Sequence, residues 1–368
     1  MSAATSSWFQ RFLLPGFALK AVIIGGGYAT GRELAEFFLP HGPWGGLAGM
    51  LLAMLIWSGI AAITFAFARH VGAYDYRHFF QKLLGPAAFL FEIAYIIFVV
   101  LILSVFGAAA GAIGEAMFGW PIWVGGLLLG AGIVATVAFG THSVEEVFKY
   151  VSWLLYLTYA IFLVLALTSF GHRISEAFAI APPPSGDWAL GGLTYASYNI
   201  IGAVVILPVL RHMTSQRDAV VAGLVAGPLA MLPAILFFLG MAAFYPAIGK
   251  EALPSDFLLR QINVPLFHWM FQAMIFAALL ESGAGAVHAI NERIGNAVKR
   301  PFGPIPRAVS AALLMALCLF VADRIGLIAL IASGYRLLAW MFLAVFVAPL
   351  LTIGLYTLWR RPAPETNA

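Results

Sequence analysis

The chain has 368 residues, of which 62% are hydrophobic and 10% charged, with a net charge of +4; its mean hydropathy is +0.95 and its pI about 9.2. A soluble domain carries about 25% charged residues, so this composition excludes a soluble protein and specifies an all-α polytopic membrane protein. The basic residues are scattered between apolar runs, a distribution that follows membrane topology and argues against a nucleic-acid partner.

Ten spans are expected in chain order, near 12–39, 45–69, 86–115, 121–140, 144–170, 190–211, 217–245, 264–295, 304–323 and 335–358. No stretch between them is long and polar enough for a soluble domain, so 1–368 reads as one membrane domain. The first 40 residues lack a small-residue cleavage pattern, and their apolar run is too long for a signal peptide, so they read as a retained first span.

That first span is interrupted. Lys20-Ala-Val-Ile-Ile-Gly-Gly-Gly-Tyr-Ala-Thr-Gly-Arg-Glu-Leu-Ala-Glu36 sets Gly25, Gly26, Gly27 and Gly31 in the middle of an apolar run, followed by Arg32, Glu33 and Glu36. Non-helical backbone inside a bilayer persists only where protein or a water-filled cavity satisfies it. Charges at that depth face an interior. The stretch therefore reads as a broken helix lining a site for a small polar solute. Free N–H groups at the start of the outer half-helix favour a carboxylate. Glycines let that group approach without a Cβ in the way. Arg32 and Glu36 are four apart and can pair along one helix face; with Glu33 they are candidates for an outer gate.

Span three carries Gly107-Ala-Ala-Ala-Gly-Ala-Ile-Gly114, small residues suited to close packing, together with Glu92, Tyr95 and Phe98. Span five opens on Ser143-Val-Glu-Glu146, a capping-box spacing, and carries Lys149. Pro182-Pro-Pro-Ser-Gly-Asp187 marks the midpoint, with five spans in 1–170 and five in 190–358. Because five is odd, the two sets insert with opposite orientation, which is an inverted repeat. Span six should then be interrupted as span one is, and Tyr195-Ala-Ser-Tyr-Asn-Ile-Ile-Gly-Ala203 places Ser197, Tyr198, Asn199 and Gly202 at the corresponding point. Two broken helices in matching positions point to a transporter site.

Span eight carries Glu281, Ser282, His288 and Glu292. At 100° per residue His288 and Glu292 lie within about 20° of the face that holds Glu281. A carboxylate–imidazole–carboxylate stripe suits a proton relay. Cys318, the single cysteine, excludes a disulfide framework and reads as a small buried hydrophobe. Ile325–Ile331 is too short to cross and is expected as an outer re-entrant or interfacial piece. Arg336 opens the last span.

The positive-inside rule tests the topology. Thirteen of the twenty basic residues, Arg11, Arg69, Lys82 and Arg293 among them, fall on the side that holds both chain ends. Four fall on the other, Arg173, Lys250, Arg260 and Arg324. Both termini are therefore expected in the cytoplasm.

Ile24-Gly-Gly-Gly-Tyr-Ala-Thr-Gly-Arg-Glu33 resembles the first-helix signature of the YkvI family of bacterial membrane proteins, where Gly-x-Gly-Phe-Ala-Ser-Gly-Gln-Glu is typical. Gly285–Arg293 and Ile331–Leu338 are similar to that family as well. The resemblance runs over essentially the whole chain, and its first-helix motif is the specific part. It implies the amino acid–polyamine–organocation superfamily and the ten-helix LeuT fold, in the bacterial inner membrane. Arg32 departs from the family glutamine and bears on substrate charge or coupling. In the resembling fold, inner span one and span eight flank a sodium position. Lys20 could pair with Glu281 there, a tethered charge in place of sodium, which favours H⁺ over Na⁺ as the coupling ion.

The chain lacks a Gly-x-Ser-x-Gly elbow, a His-Glu-x-x-His zinc pair and a phosphate-binding Gly-Lys-Ser/Thr motif, so neither an enzyme nor a cofactor is indicated. The expected function is secondary transport of a small amino acid or related zwitterion by alternating access. Gly25, Gly26, Gly27, Tyr28, Gly31, Tyr95, Ser197, Tyr198, Asn199 and Gly202 would bind it. Lys20, Arg32, Glu33, Glu36, Glu281, Ser282 and His288 would couple or gate it. A receptor or channel on the same fold is the alternative. The oligomeric state is not legible in the sequence.

Overall fold

The computed structural model describes residues 7–23, 26–138, 141–298 and 303–360; of these, 26–27, 141–156 and 296–298 are described by backbone only. Gly25, and the side chains of the Ser143–Glu146 cap and of Lys149, lie outside the described residues. Among the described residues every regular element is helical.

Span one is built from three pieces, α1 (Leu14–Ile23), α2 (Gly26–Ala29) and α3 (Arg32–Phe37). Span two is α4 (Gly42–Val71), ended by Gly72, whose left-handed conformation lets its N–H reach the Ala68 and Arg69 carbonyls. A short helix, α5 (Tyr76–Leu84), follows, capped by Asp75, which accepts from the His78 N–H. Spans three to five are α6 (Phe89–Phe118), α7 (Ile122–Ala138) and α8 (Thr141–Ile180).

Span six is α9 (Trp188–Asn199) and α10 (Ile201–Val205), running on into a tighter 3₁₀ segment, Leu207–His212. α11 (Gln216–Ala242) is span seven and opens on a capping box in which Ser215 and Asp218 each satisfy the other's backbone N–H. A short outer helix, α12 (Pro254–Ile262), precedes span eight, α13 (Pro265–Val298). Span nine is α14 (Pro304–Ile325). Span ten joins α15 (Leu327–Ala329), α16 (Tyr335–Phe342) and α17 (Leu355–Arg360) through wider π-helical turns.

The helices follow the ten expected spans closely, with one correction. Ile325–Ile331 is not a separate re-entrant piece. Gly326, at φ +82°, reverses the chain in a single residue, and the helix restarts at Leu327 and continues to Arg360. Leu327, Leu330 and Ile331 are buried while Ile325 and Ile328 are exposed, so the run forms a one-sided start to the last helix. Arg336 therefore sits about two and a half turns inside the last span.

The helices assemble in two groups. In the first, α4 packs along α11 and α9, and α1 packs on α11 and α10. Polar ties accompany this packing: Trp57 donates to the Ala196 carbonyl at 3.1 Å and Ser58 to the Leu224 carbonyl at 2.9 Å. In the second, α6, α7, α13 and α14 pack on one another. The small-residue run of α6 makes that possible, since a Cβ at Gly111 would meet the Ile122 side chain at 2.5 Å. The first group holds spans one, two, six and seven and the second holds three, four, eight and nine. Each thus draws pairs of spans five apart. The broken first span lies where the groups meet, because α2 packs on both α6 and α13.

Candidate functional site

The outer interruption of span one turns on Gly31. Its φ of +78° and the Phe237 ring, 2.5 Å from where a Cβ would stand, leave room only for glycine. Three backbone groups freed by the break find partners. The Gly31 N–H reaches the Tyr28 carbonyl at 2.9 Å, and the Thr30 carbonyl accepts from the Ser255 N–H on α12, also at 2.9 Å. The Arg32 N–H donates to Thr30 Oγ1 at 3.3 Å. The outer helix α12 thus docks by hydrogen bond on the break.

Two residues further on, the Glu33 side chain is buried and accepts a 2.6 Å hydrogen bond from the Tyr198 hydroxyl of α9. Tyr198 packs on Tyr335 of α16, ring centroids 4.4 Å apart, and on Tyr195 at 5.6 Å. Tyr28 packs on Tyr159 of α8 at 6.1 Å. Their hydroxyls lie near each other without completing a hydrogen bond, and the buried Tyr195 and Tyr335 hydroxyls also lack a partner among the described residues. The result is a desolvated layer of phenols around one carboxyl.

Above this layer the structure is closed. Arg32 Nη1 donates to the Gly249 and Glu251 carbonyls at 2.8 and 2.9 Å, and Nη2 pairs with Glu36 at 3.1 Å. Glu36 in turn meets Arg336 of α16 at 3.5 Å. The fork geometry of a guanidinium allows it to hold a carboxylate and two carbonyls together. α12 is held from its other side by buried Asp256, which binds His268 at 2.6 Å, Gln272 at 2.8 Å and Arg260 at 3.1 Å.

The opposite, inner end holds a cavity of about 360 Å³ lined by residues of α5, α6, α10 and α13, including Asp75, Tyr95, Ile201, Val204 and Arg293. Arg293 pairs with Glu92 at 3.2 Å and lies over the Tyr95 ring at 3.8 Å and the Tyr76 ring at 4.5 Å. A second inner contact joins Arg11 to Asp218 through two hydrogen bonds, 2.8 and 2.7 Å long.

Several residues singled out in the sequence meet here. Tyr28, Gly31, Glu33, Tyr198, Arg32 and Glu36 form the closed layer just described. Tyr95 does not join them, because it faces the inner cavity beneath Arg293. Ser197 and Asn199 turn back on their own helix, donating to the Leu193 and Tyr195 carbonyls at 2.6 and 3.1 Å. These bonds turn both polar side chains back along α9. Gly202 packs against Leu19 and Val22 of α1. Glu292 pairs with Arg307 at 3.1 Å, so the inner end of the span-eight stripe is a salt bridge. Lys20, Glu281, Ser282 and His288 are half-buried, and Lys20, Glu281 and His288 each have a partner.

Tyr159, Tyr335, Ser255 and the Arg11–Asp218 pair were not singled out. Asp218 alone left a local signal, the Ser215-x-x-Asp spacing of a helix cap.

No protein-family profile matches the chain. It is similar to the uncharacterized membrane protein YkvI of Bacillus subtilis (strain 168), with 25% identity over 342 residues, 91% of this chain and 94% of that protein. Its fold is that of MhsT, solved in complex with L-phenylalanine: TM-score 0.63 at 16% identity, over 96% of this chain and 97% of that one. Mhp1, a nucleobase-cation-symport-1 family transporter solved closed with bromovinylhydantoin, aligns with TM-score 0.51 at 16% identity, over 94% of this chain and 81% of that one. The chain is therefore a polytopic membrane protein of LeuT fold.

Proposed function

We propose that this relative of YkvI, built on the LeuT fold, is a secondary active transporter working by alternating access. Its solute is a small amino acid or related zwitterion, and its coupling ion is H⁺ in preference to Na⁺. It resides in the bacterial cytoplasmic membrane with both termini inside. One observation carries the reading: the interrupted first span is bridged on one side by an ion-pair chain and a docked helix. The Arg32–Glu36–Arg336 chain and the docked α12 lie over the break on that side, while a cavity of about 360 Å³ lies among the far ends of α6, α10 and α13. A bridged break of this kind is the gate that an alternating-access cycle requires.

In this reading the α2 break meets the solute, and Arg32 with Glu36 gates it from outside. Glu281, with Lys20, Ser282 and His288, serves the coupling ion. MhsT was solved with an amino acid bound, which supports the solute class by analogy of fold. The test is a thermal-shift screen of amino acids and amines, followed by counterflow with the best ligand in proteoliposomes. A carrier accelerates entry of labelled ligand when unlabelled ligand is preloaded. A receptor shows binding without entry, and a channel shows entry without acceleration.

A further inference from the structure

We infer that Glu33 and the surrounding tyrosines form a monovalent-cation site, a role separate from the Arg32 gate beside it. The inference deepens the transport reading by naming what the closed layer binds. Glu33 is 4% exposed, and among the described residues no lysine, arginine or histidine pairs with it. Its neighbour Arg32 is turned away, committed to Glu36 and to the Gly249 and Glu251 carbonyls. A buried carboxylate without a counter-charge is strongly disfavoured. One short hydrogen bond from Tyr198 lessens that penalty without supplying a positive charge.

The groups packed around the Tyr198–Glu33 bond are also cation ligands. Tyr195 of α9 packs on Tyr198 with ring centroids 5.6 Å apart, and Tyr335 of α16 packs on it at 4.4 Å. Two of these buried hydroxyls, those of Tyr195 and Tyr335, complete no hydrogen bond among the described residues, and a buried polar group in that state is expected to have a partner. Phenol oxygens accept from an ammonium or coordinate a metal cation, and phenol rings attract cations through their faces. From the Ala247–Lys250 turn the Gly249 carbonyl goes to Arg32, and Lys250 is exposed. Carboxylate and phenols together thus define a buried, negatively polarised site without a cationic side chain among the described residues.

The cation can be a coupling ion or the ammonium group of the solute, and the test separates them. Purified full-length protein in detergent is melted in rising sodium chloride, potassium chloride or methylammonium chloride, with N-methyl-D-glucamine chloride as the ionic-strength control, and separately across a pH series. We expect one cation to raise the melting temperature saturably, an effect lost in Glu33→Gln. Tyr335→Phe keeps the ring and removes one oxygen, and should raise the half-saturating concentration roughly ten-fold.

Stabilisation by sodium or potassium assigns a bound metal cation, which keeps the site and overturns the H⁺-coupled reading, and stabilisation by methylammonium assigns the solute's ammonium. If only pH acts, and acts on the native chain but not on Glu33→Gln, the cation is the proton. The inference is overturned if native protein and Glu33→Gln respond alike in every series. Should Glu33→Gln fail to fold, an unchanged half-saturating concentration in both Tyr335→Phe and Tyr198→Phe overturns it. Binding is read without a membrane, so a protein that fails to transport can still pass this test.

Discussion

The Tyr198 hydroxyl donates a 2.6 Å hydrogen bond to Glu33 Oε2, and this bond joins the two interrupted spans across 165 positions of the chain. It lies in the layer where α3, α9 and α16 meet, beneath the Arg32 closure. Removing the hydroxyl while keeping the ring isolates its role. Tyr198→Phe retains packing on Phe37, Tyr195 and Tyr335, so the fold is expected to survive. Leaving the buried Glu33 oxygen without its donor costs about 1–3 kcal/mol, so the melting temperature of the ligand-free protein should fall clearly. An unchanged melting temperature would show that the Tyr198–Glu33 bond does not hold the layer together.

Arg32 holds the outer layer shut through two backbone carbonyls and one carboxylate. Ser255, whose N–H docks on the Thr30 carbonyl, is fully buried beneath it. In a Cys318→Ala background, Ser255→Cys should be labelled slowly by a membrane-impermeant thiol reagent. Adding Arg32→Ala should raise the rate roughly ten-fold or more, as the lost hydrogen bonds no longer hold the closed form. Arg32→Lys should also raise it, since an ammonium lacks the planar fork. Equal rates would show that the closure does not depend on Arg32.

At the inner end Asp218 has two duties. It pairs with Arg11 at 2.7 Å and it completes the cap of α11 with Ser215 and Thr214. Arg11 is partly exposed, so Arg11→Ala should cost little stability. Asp218→Ala loses the cap as well and should cost about 2 kcal/mol or more. Thermal unfolding of the two variants in detergent checks the order. A reversed order would mean that the N-terminal segment contributes more than the cap.

Gly31 is the position where backbone and packing agree. A left-handed residue with a Cβ costs about 1–2 kcal/mol, and the overlap with Phe237 adds to it. Gly31→Ala should therefore lower the melting temperature markedly. Phe237→Leu in the same chain should recover the steric part and leave the backbone part. Full recovery, or none, would contradict this division.

The spans were legible because a bilayer enforces a simple rule: about twenty apolar residues per helix. The first break was legible because glycines clustered in it. What the sequence hides is pairing at a distance. Tyr335 and Tyr198 meet only through the fold, and each alone is unremarkable in a chain rich in aromatics. Arg32 is held largely by backbone carbonyls, which any residue supplies, so its partners leave no signature. Ser197 and Asn199 read as donors for a solute because they are polar at the right height. In the structure their donors bond to carbonyls four residues back, a choice that polar side chains in helices often make. Tyr95 fell on the right span at the wrong height, below the break and beside Arg293.

The central claim is transport by alternating access with proton coupling, and concentrative uptake tests it most directly. Proteoliposomes holding the native chain would be given the ligand from the thermal-shift screen under an imposed pH gradient, and in parallel under a sodium gradient. The account predicts accumulation above the external concentration with the pH gradient, collapse on adding a protonophore, and no accumulation with sodium alone. Entry that stops at equal concentrations under both gradients would contradict it.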